Sequence, residues 1–255
     1  YNGVKHLEET IQSVLNQTYP NVEYIIIDGG STDGTLDIIK KYEDKIDYWV
    51  SEPDEGIYDA MNKGITVAFG GWINFMNVGD IFCEKSSIYS VFLSGSLENP
   101  TTKVIFGNWK INYGAYYICA KPKSINQLIK RMVFPHNGCF INSAIQKRFL
   151  YNKEYRIASD YEFFLKLFLA EGERAFFYVD TCISCIDAYG VSNTLIFSAV
   201  MERFKIAKNL SKQFYKNKLI MIQFISEFLI AFIMVIYRKT ISSGIRHKIR
   251  KFLRG

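Results

Sequence analysis

The sequence predicts an α/β domain built on a largely parallel β-sheet. In the first two-fifths of the chain, short apolar runs take turns with segments that are amphipathic at helical spacing. The apolar runs are rich in β-branched residues, as strands buried on both faces are. Capping and turn residues separate the two kinds of segment. With 255 residues, 49% of them hydrophobic, the chain is long enough to bury a proper core.

The predicted elements follow one another in a regular order as far as Asp80. "KHLEETIQSVLNQ" predicts a helix with Leu7, Ile11, Val14 and Leu15 on its apolar face. "VEYIIID" predicts a buried strand, and "STDGTLDIIKKYE" opens with capping residues and predicts a second helix. "IDYWV", "IYDAMNKGITVAF" and "WINFMN" then predict a strand, a helix and a strand. The chain opens on "YNG", directly before a helix, so we expect that a first strand has been lost ahead of it; a processed start is the alternative.

The alternation loosens from about Lys103 onward. "KVIFGNW" and "YYICAKP" predict strands with antiparallel pairing, and "AFFYVDTCISCID" predicts a further strand. Between them, "ASDYEFFLKLFLAEG" predicts a helix whose apolar face carries Tyr161, Phe164, Leu165 and Phe168. The segment from Ser198 onward predicts further helix.

The C-terminal part contains one long apolar stretch, "LIMIQFISEFLIAFIMVIY". In its 19 residues only Gln223, Ser226 and Glu227 are strongly polar, and they share one face. A membrane-spanning helix needs about 20 apolar residues, and a central Glu costs about 2.5 kcal/mol or more. This pattern favours a helix that lies in the membrane interface over one that spans it. An ordinary buried helix is the alternative.

The net charge of +6 is concentrated in the C-terminal tail. Residues 238–255 hold seven Lys or Arg and no acid, which leaves the rest of the chain close to neutral. Such a tail binds either nucleic acid or anionic lipid. The body lacks a nucleic-acid recognition module, and the apolar stretch before the tail favours an anionic membrane surface.

The cysteines predict free thiols in a reducing cytosol. There are five, an odd number, and they are scattered through the chain. Cys182 and Cys185 form a C-x-x-C, for which zinc or redox chemistry is the alternative. The motif has no second pair and no nearby His, so a structural reading is favoured.

Two acids follow predicted strands and are the first candidates for a ligand site. Asp28 closes "VEYIIID", and Asp80 follows "WINFMN". In open parallel sheets, ligands bind beyond the carboxyl ends of the strands, so the two carboxylates are expected to open into one crevice. An ordinary turn or helix cap is the alternative at each position. The loop "DGGSTDGT" after Asp28 matches neither a P-loop nor a G-x-G-x-x-G fingerprint.

Three stretches in combination resemble the family 2 glycosyltransferases, which have the GT-A fold. They are "YNGVKHLEETIQSVLNQTYPNVEYIIIDGGSTDGT", "SEPDEGIYDAMNKGI" and "WINFMNVGD". The likeness is to bacterial transferases that build capsule, exopolysaccharide and O-antigen, and weaker echoes continue to about Asn193. The resemblance implies a nucleotide-diphosphate sugar donor, Mg²⁺ or Mn²⁺ as cofactor, and inversion at the anomeric carbon.

The resemblance also implies roles for individual residues at the donor side. Tyr1, Asn2 and Asp28 match positions beside the nucleobase, and Ser31 lies in the adjoining loop. "DAMNKG" matches a segment near the diphosphate, with candidate residues Asp59, Asn62 and Lys63. Many members have Arg where this chain has Met61, and Lys63 is the candidate substitute. "MNVGD" matches the metal-binding element, with candidate residues Asn77 and Asp80.

The roles expected for the metal ligand and the general base each have an alternative. The matched element usually holds more acids, so Asp80 alone is expected to bind the metal, and weakly without nucleotide. Asp160 in "IASDYEFFLKL" matches the general base that deprotonates the acceptor; its alternative is a helix N-terminal acid stabilised by the dipole. His136 in "FPHNGCFI" is a candidate phosphate or metal ligand, with a core histidine as the alternative.

These expectations combine into one predicted architecture. Residues 1–195 are expected to form the GT-A domain, with a nucleotide-binding half at 1–100 and an acceptor half at 101–195. Residues 196–255 are expected to form a helical, membrane-associating segment with the basic tail. The chain would act on a glycan or lipid-linked acceptor at the cytoplasmic face of the membrane. A truncated or catalytically inactive relative is the alternative.

Overall fold

The first part of the chain alternates helix and strand as predicted. The computed structural model describes residues 1–188, 195–210, 222 and 224–233. Its first elements are α1 (Leu7–Leu15), β1 (Ile25–Asp28), α2 (Thr35–Lys41), β2 (Tyr48–Ser51) and α3 (Ile57–Val67). Strands β1 and β2 pair in parallel as a separate two-stranded sheet. The carboxyl end of this small sheet therefore carries Asp28 and Ser51 side by side.

A second sheet of six strands forms the centre of the domain. Its strands and the helices around them are β3 (Trp72–Ile73), β4 (Ile81–Phe82), α4 (Ser87–Leu93), β5 (Val104–Asn112), β6 (Tyr117–Ala120), β7 (Cys139–Asn142), α5 (Ser143–Arg148), α6 (Ser159–Glu171) and β8 (Phe176–Asp187). The strand order is β3-β7-β5-β8-β4, and β6 pairs with β5. Short 3₁₀ turns lie at 43–45, 125–129, 136–138 and 173–175.

The pairing is more antiparallel than the sequence pattern predicts. Only β5–β8 is parallel in the second sheet, and its other described ladders are antiparallel. The strand predicted over "WINFMN" ends after Ile73. There the side-chain amide of Asn74 donates to the carbonyls of Asn137 and Cys139 at 3.0 and 2.8 Å. A side chain thus replaces the backbone ladder, and the chain is free to turn before Asp80.

Helix α6 is buried on two sides: Phe164 packs in the core of the central sheet, and Tyr161 and Leu165 pack against the C-terminal helices. Tyr161, Phe164 and Leu165 are fully buried, and Phe168 is partly buried. The ring of Phe134 stacks on Phe106 at 4.6 Å and meets Phe164 edge-on at 4.9 Å. Deleting a ring from such a core costs about 3–5 kcal/mol. This packing fixes the N-terminal end of α6, which carries Asp160.

The C-terminal helices lie against α6. Helix α7 (Ile196–Leu210) and a helical segment at residues 224–233, here called α8, bury Ile206 and Phe224 against Tyr161 and Leu165. Within the described residues, no helix is long and apolar enough to cross a membrane. Of the predicted interfacial stretch, residues 219–237, the structure describes residues 222 and 224–233. The basic tail 238–255 lies outside the described residues.

Candidate functional site

Asp28 is buried at the end of β1 and accepts hydrogen bonds on both carboxylate oxygens. Oδ1 accepts from the Ser31 hydroxyl at 2.5 Å, and Oδ2 accepts from the amides of Gly30 and Ser31 at 3.1 and 2.8 Å. The Ser51 hydroxyl also donates to Oδ2, at 2.7 Å. Burial alone would raise the pKa of Asp28, but the hydrogen bonds from Ser31 and Ser51 bring it below its ordinary value. Asp28 is therefore an ionised residue that shapes the loop after β1.

The first two residues lie against this same loop. The backbone amide of Asn2 donates to the Ser31 hydroxyl at 2.6 Å, and the Thr32 amide donates to Oδ1 of Asn2 at 3.0 Å. Asn2 has a left-handed φ of 49°, which Asn tolerates better than most residues. Tyr1 is 71% exposed, so its ring is free to contact a ligand. The structure thus joins Asn2, Asp28 and Ser31 by hydrogen bonds, with Tyr1 next to Asn2 at the surface.

The turn that carries Asp80 adjoins the N-terminal segment. A Cβ atom on Gly3 would lie 2.8 Å from Cγ1 of Val78, so only glycine permits this approach. The turn is closed by a 2.9 Å hydrogen bond from the Asp80 amide to the Asn77 carbonyl, with Gly79 at a φ of +93°. The loop after β1 and the Asp80 turn therefore occupy neighbouring positions through Gly3.

The Asp80 carboxylate lies in a low-dielectric environment that a cation would relieve. Burial raises its pKa above the ordinary value, while His136 and a hydrogen bond from Asn137 act in the opposite direction. A carboxylate with a raised pKa gains from a nearby positive charge. Asp80 is thus suited to hold a cation that arrives with a ligand.

His136 connects the Asp80 turn to Asp160. Its Nε2 lies 2.8 Å from the side-chain amide nitrogen of Asn77, and its Nδ1 lies 3.4 Å from Oδ2 of Asp160. An amide donor at Nε2 leaves the ring proton on Nδ1, facing Asp160. Burial lowers the pKa of His136, but the nearby carboxylates of Asp160 and Asp80 outweigh it and raise the pKa overall. Because both ring nitrogens have partners, the geometry favours a hydrogen-bonding role over a metal-ligand role.

Asp160 lies in the first turn of α6 and is held from two directions. The Tyr58 hydroxyl is 3.0 Å from Oδ1 of Asp160 and 2.8 Å from the carbonyl of Ile157, so its one proton is shared between them. His136 approaches the other carboxylate oxygen. The Asp160 side chain is 14% exposed, which leaves an edge of it open to a ligand. A carboxylate oriented in this way is suited to accept a proton.

The loop before α6 is fixed by Glu202 from α7. Its carboxylate accepts hydrogen bonds from the amides of Arg156, Ile157 and Ala158 at 3.1, 2.9 and 2.9 Å. Ala158, the residue before the helix, has no side-chain cap of its own. The three partners of Glu202 are the amides just before the first helical residue, so Glu202 fixes the chain that leads into α6. It holds the segment that positions Asp160.

The candidate diphosphate residues on α3, which are Asp59, Asn62 and Lys63, make a separate set of contacts. Lys63 lies 2.8 Å from Oε1 of Glu52, and Asp59 lies 3.0 Å from Nζ of Lys153. The Asn62 side chain both donates to and accepts from the backbone of Tyr151, each at 2.9 Å. These contacts anchor α3, and none of them reaches Asp28, Asp80 or Asp160. For Lys63 to bind a diphosphate, its ion pair with Glu52 must first break.

The fit of a divalent cation rests on Asp80. Within the described residues, no cluster of three or more His, Cys, Asp or Glu side chains has metal-binding geometry. Mg²⁺ commonly takes one or two protein carboxylates and fills its other positions with phosphate and water. Asp80 suits that arrangement, in which a diphosphate supplies most of the ligands.

Sequence patterns did not single out several residues of this site. Tyr58 contacts Asp160, Ser51 contacts Asp28, and Asn137 acts on Asp80. Glu202 holds the backbone just before Asp160. From the sequence alone, Tyr58 resembles an apolar position of a helix, and Glu202 resembles a solvent-exposed acid. Their roles follow only from tertiary packing.

The fold and the arrangement of the site define the class of protein. Helices flank a mixed sheet, and the loop after β1 and the Asp80 turn both adjoin the N-terminal segment. Solved glycosyltransferase structures share this arrangement, which is the GT-A fold of nucleotide-sugar transferases. Residues 1–185 match the Glycosyl transferase family 2, and the chain belongs to that family.

Curated relatives agree with this assignment. The chain is 31% identical over 170 residues to an uncharacterized glycosyltransferase of Mycobacterium tuberculosis strain H37Rv, covering 65% of each chain. It is 24% identical over 212 residues to a PGL/p-HBAD biosynthesis glycosyltransferase of Mycobacterium bovis strain BCG, covering 80% of each. The chain thus spans 65% of the length of the first of these relatives.

Solved structures share the fold at low identity. Staphylococcus aureus TarS 1–349 in complex with UDP aligns with a TM-score of 0.60 at 17% identity, over 85% of this chain and 70% of TarS. The mannosyltransferase PcManGT of Pyrobaculum calidifontis, in complex with GDP-Man and Mn²⁺, aligns with a TM-score of 0.67 at 12% identity. That alignment covers 100% of this chain and 77% of PcManGT.

Proposed function

We propose that this protein transfers a sugar from a nucleotide-diphosphate sugar to a hydroxyl of a glycan or lipid-linked acceptor. The observation that carries the proposal is the Asp160 carboxylate, held between Tyr58 and His136 and open at one edge. It lies in a chain that belongs to glycosyltransferase family 2. Fold neighbours were solved with UDP-GlcNAc, GDP-Man and UDP-Glc, which makes these nucleotide sugars the first donors to test.

The proposed reaction is a single displacement that inverts the anomeric carbon. Asp160 accepts the proton of the acceptor hydroxyl as its oxygen bonds to the anomeric carbon, and the bond from that carbon to the diphosphate breaks. His136 and Tyr58 keep the carboxylate turned toward the acceptor. A cleft of about 390 Å³ borders Tyr58 and is the candidate path for the acceptor.

The donor is proposed to lie across the two neighbouring turns. Tyr1 and Asn2, beside the loop that Asp28 shapes, would contact the base and ribose. Asp80 would hold Mg²⁺ or Mn²⁺ on the diphosphate, and the cation would offset the charge that develops on the leaving group. Asp59, Asn62 and Lys63 lie on α3, and Lys63 is the residue proposed to turn toward the diphosphate.

We also propose that α8 associates with a membrane. Its inner face buries Phe224, and Glu227 forms ion pairs there with Arg131 and Arg203 at 3.3 and 3.1 Å. Its outer face exposes Ile225, Leu229, Ile230, Phe232 and Ile233. The one acid of the stretch is thus turned inward, and a row of large apolar side chains faces outward. The basic segment that follows in the sequence favours an anionic lipid surface.

The test of glycosyl transfer is a donor panel with a substitution at the proposed base. Hydrolysis and transfer are measured with UDP-Glc, UDP-GlcNAc and GDP-Man, each with Mn²⁺, for the wild type and Asp160→Asn. We expect turnover of at least one donor, a fall in transfer of about a hundredfold or more in the variant, and unchanged donor affinity. Asp180→Asn, an exposed acid that pairs with Lys121, is the control and should behave as wild type.

Two outcomes would contradict the proposal. Near-normal transfer in Asp160→Asn would assign Asp160 a purely structural role at the start of α6. Donor binding without turnover, for every sugar and a broad set of acceptors, would favour the inactive relative.

A further inference from the structure

Three tyrosines gather where β5 turns into β6, at residues 113–117, here called the hairpin tip. Tyr113 and Tyr116 flank the turn residues Gly114 and Ala115, and Tyr117 is the first residue of β6. The rings of Tyr113 and Tyr116 stack, with centroids 5.1 Å apart and an angle of 14° between their planes. Tyr116 is 37% exposed and Tyr117 is 58% exposed. The hairpin tip therefore presents aromatic surface to the solvent.

The backbone of the hairpin tip holds these rings in place. The amide of Tyr113 donates to the carbonyl of Tyr116 at 3.0 Å, and the amide of Gly114 donates to Oδ1 of Asn112 at 2.7 Å. Gly114 has a φ of +83°, and glycine is the residue favoured at the first central position of such a two-residue loop. Since the turn and the ring stack both restrict the side chains, a ligand that binds them has little conformational entropy to remove.

The hairpin tip lies at the same edge of the central sheet as the Asp80 turn. Strands β5 and β8 run parallel, and Asn112 pairs with Asp187 at their carboxyl ends. Strand β4 runs antiparallel to β8 with Ile81 opposite Cys185, so Asp80, just before β4, lies at this edge too. Only β8 separates β5 from β4, which puts the base of the hairpin about 10 Å from the Asp80 turn at the usual strand spacing. The hairpin tip thus borders the candidate site, within the length of a short oligosaccharide.

The chemistry of the hairpin tip suits a sugar ring. One face of a pyranose carries C–H groups, and its hydroxyls lie around the edge. The face of an aromatic ring is electron-rich and attracts polarised C–H groups, and a tyrosine hydroxyl can exchange hydrogen bonds with a sugar hydroxyl. Residues 113–117 include no charged side chain, so they match a neutral ligand with an apolar face and a polar edge. In a chain of a glycosyltransferase family, a sugar is the ligand with this chemistry.

We propose that Tyr116 and Tyr117 form a subsite that stacks on a sugar ring of an oligosaccharide, at a distance from the reacting hydroxyl. The oligosaccharide is the acceptor of the transfer proposed above, and this identification rests on that proposed function. The binding of a sugar ring at the hairpin tip does not. The inference narrows the acceptor to a chain of at least two sugar units, one at Asp160 and one on the tyrosines.

Two other occupants fit the hairpin less well. A second protein chain could pair with the outer edge of β6, which in the described ladders pairs only with β5. Lys121, Pro122 and Lys123 follow β6 directly, and charged residues and proline at an edge oppose such pairing. A membrane surface favours large aliphatic side chains beside basic ones. The hairpin tip has neither, so its rings are better suited to a sugar.

The test is binding of neutral trisaccharides to the full chain without donor or metal. Cellotriose, chitotriose and mannotriose are titrated, and saturation-transfer NMR measures their affinities. We expect at least one to bind the wild type, and the double variant Tyr116→Ala/Tyr117→Ala to bind it about tenfold or more weakly. Tyr116→Phe/Tyr117→Phe keeps both rings and should keep most of the affinity. Tyr89→Ala, which removes a 44% exposed tyrosine on α4, is the matched control and should bind as the wild type does.

Tyr117→Ala alone serves as a second variant. It leaves the stack of Tyr113 on Tyr116 in place, so it tests the subsite even if the double variant fails to fold. We expect it to weaken trisaccharide binding about threefold or more, in line with the loss of one ring contact. Thermal unfolding of each variant shows whether its fold is intact.

Acceptor kinetics separate the subsite from the proposed transfer. With an acceptor that the wild type uses, the double alanine variant should raise the acceptor KM about tenfold and leave kcat within about twofold. Trisaccharide binding that depends on the tyrosines, in a protein that transfers no sugar, would support the subsite and contradict the proposed function. Transfer with an unchanged acceptor KM in the double alanine variant would do the opposite.

Three further outcomes would overturn the inference. One is a wild type that binds none of the trisaccharides. Another is equal binding by the wild type and the folded alanine variants. The third is trisaccharide binding that is unchanged while the double alanine variant alters the oligomeric state or the sedimentation with lipid vesicles, which would assign the hairpin tip to a second chain or to a membrane.

Discussion

The Tyr58 hydroxyl lies 3.0 Å from Oδ1 of Asp160, a residue 102 positions further along the chain. Tyr58 is in the first turn of α3, and Asp160 is in the first turn of α6. The contact therefore joins α3 to α6 at the carboxylate proposed to act as the general base. Burial and the negative charge of Asp160 raise the pKa of Tyr58, so the hydroxyl keeps its proton and remains a donor.

We expect Tyr58→Phe to reduce transfer without affecting donor binding. The substitution keeps the ring but removes the donor, and one hydrogen bond to a charged group contributes about 1.5–3 kcal/mol. If Tyr58 holds Asp160 in position, kcat should fall about tenfold or more while donor affinity stays unchanged. Steady-state kinetics and equilibrium donor binding measure the two effects. Tyr178→Phe is the control, because its hydroxyl contacts Asn108 and Asp180 away from the site. An unchanged kcat would remove Tyr58 from the proposed mechanism.

Asp80→Asn should weaken metal-dependent donor binding and leave the fold intact. Asn keeps the size of the side chain but loses the charge that attracts a divalent cation. We expect the gain in donor affinity on adding Mn²⁺ to be large in the wild type and nearly absent in the variant. Calorimetric titration of the nucleotide sugar, with and without Mn²⁺, measures this difference. Equal Mn²⁺ enhancement in both proteins would exclude Asp80 as the metal ligand.

Glu202→Gln should loosen the segment that positions Asp160. The Glu202 carboxylate accepts from three backbone amides, whereas Gln has one oxygen and turns an NH₂ group toward some of these donors. We expect the free energy of unfolding to fall by about 1–3 kcal/mol. Transfer should fall as well, while donor affinity stays close to wild type. Chemical denaturation and transfer assays check both effects, with the exposed Glu171→Gln as control. Loss of stability with unchanged transfer would restrict Glu202 to a structural role.

The sequence was sufficient to predict the class of fold and most of the helices. Helical periodicity marks α1 because one face is buried, and Leu7 and Ile11 are indeed core residues. Helix α6 is buried on most sides, so its predicted face holds only some of its core residues, among them Phe164 and Leu165. Strand pairing was harder to predict. A period of two shows that a strand exists but not which strand it pairs with. The side-chain hydrogen bonds of Asn74 that end β3 have no periodic signal at all.

Local sequence patterns point only to the acids that follow an apolar run, and Asp160 and His136 are candidates through the family resemblance. Asp28 and Asp80 stand out because an acid after an apolar run is unusual, and the structure places their loops side by side. The contacts around Asp160 join residues distant in sequence, so no local pattern reports them. Lys63 is the opposite case, because the sequence suggests a role that its contacts in the structure do not show. Its charge marks it as a phosphate ligand, yet in the structure it pairs with Glu52.

The hydrogen bonds to Asp28 predict a specific dependence of stability on pH. Because the pKa of Asp28 is lower in the folded state, its contribution is fully present above the unfolded value of about 3.9. The contribution is lost as the pH falls through the folded pKa. We expect Asp28→Asn to lower the free energy of unfolding at pH 7 by about 2 kcal/mol. The gap between wild type and variant should narrow as the pH falls from about 5 toward 3.

Urea denaturation at several pH values measures this gap. The control is Asp44→Asn, an exposed acid, which should follow the wild type at every pH. A gap that stays constant down to pH 3 would show that the loss in Asp28→Asn is unrelated to ionisation. In that case packing, and not charge, would account for the effect of Asp28 on its loop.

The outward face of α8 gives the membrane proposal its sharpest test. Ile225, Leu229 and Ile233 are 55%, 56% and 62% exposed, and they lie along one side of the helix. If this side enters the lipid interface, replacing all three with Ser should remove about 1 kcal/mol of binding free energy per residue and lower vesicle affinity about a hundredfold.

The matched control replaces Phe69, Leu93 and Leu97 with Ser, three side chains elsewhere on the surface that are 92%, 68% and 52% exposed. Sedimentation with phosphatidylglycerol and phosphatidylcholine vesicles separates the apolar from the electrostatic contribution. The α8 variant should lose binding to anionic vesicles, the control should keep it, and neutral vesicles should bind the wild type weakly because the basic tail gains nothing from them. Equal sedimentation of both triple variants would show that the α8 face does not contact lipid.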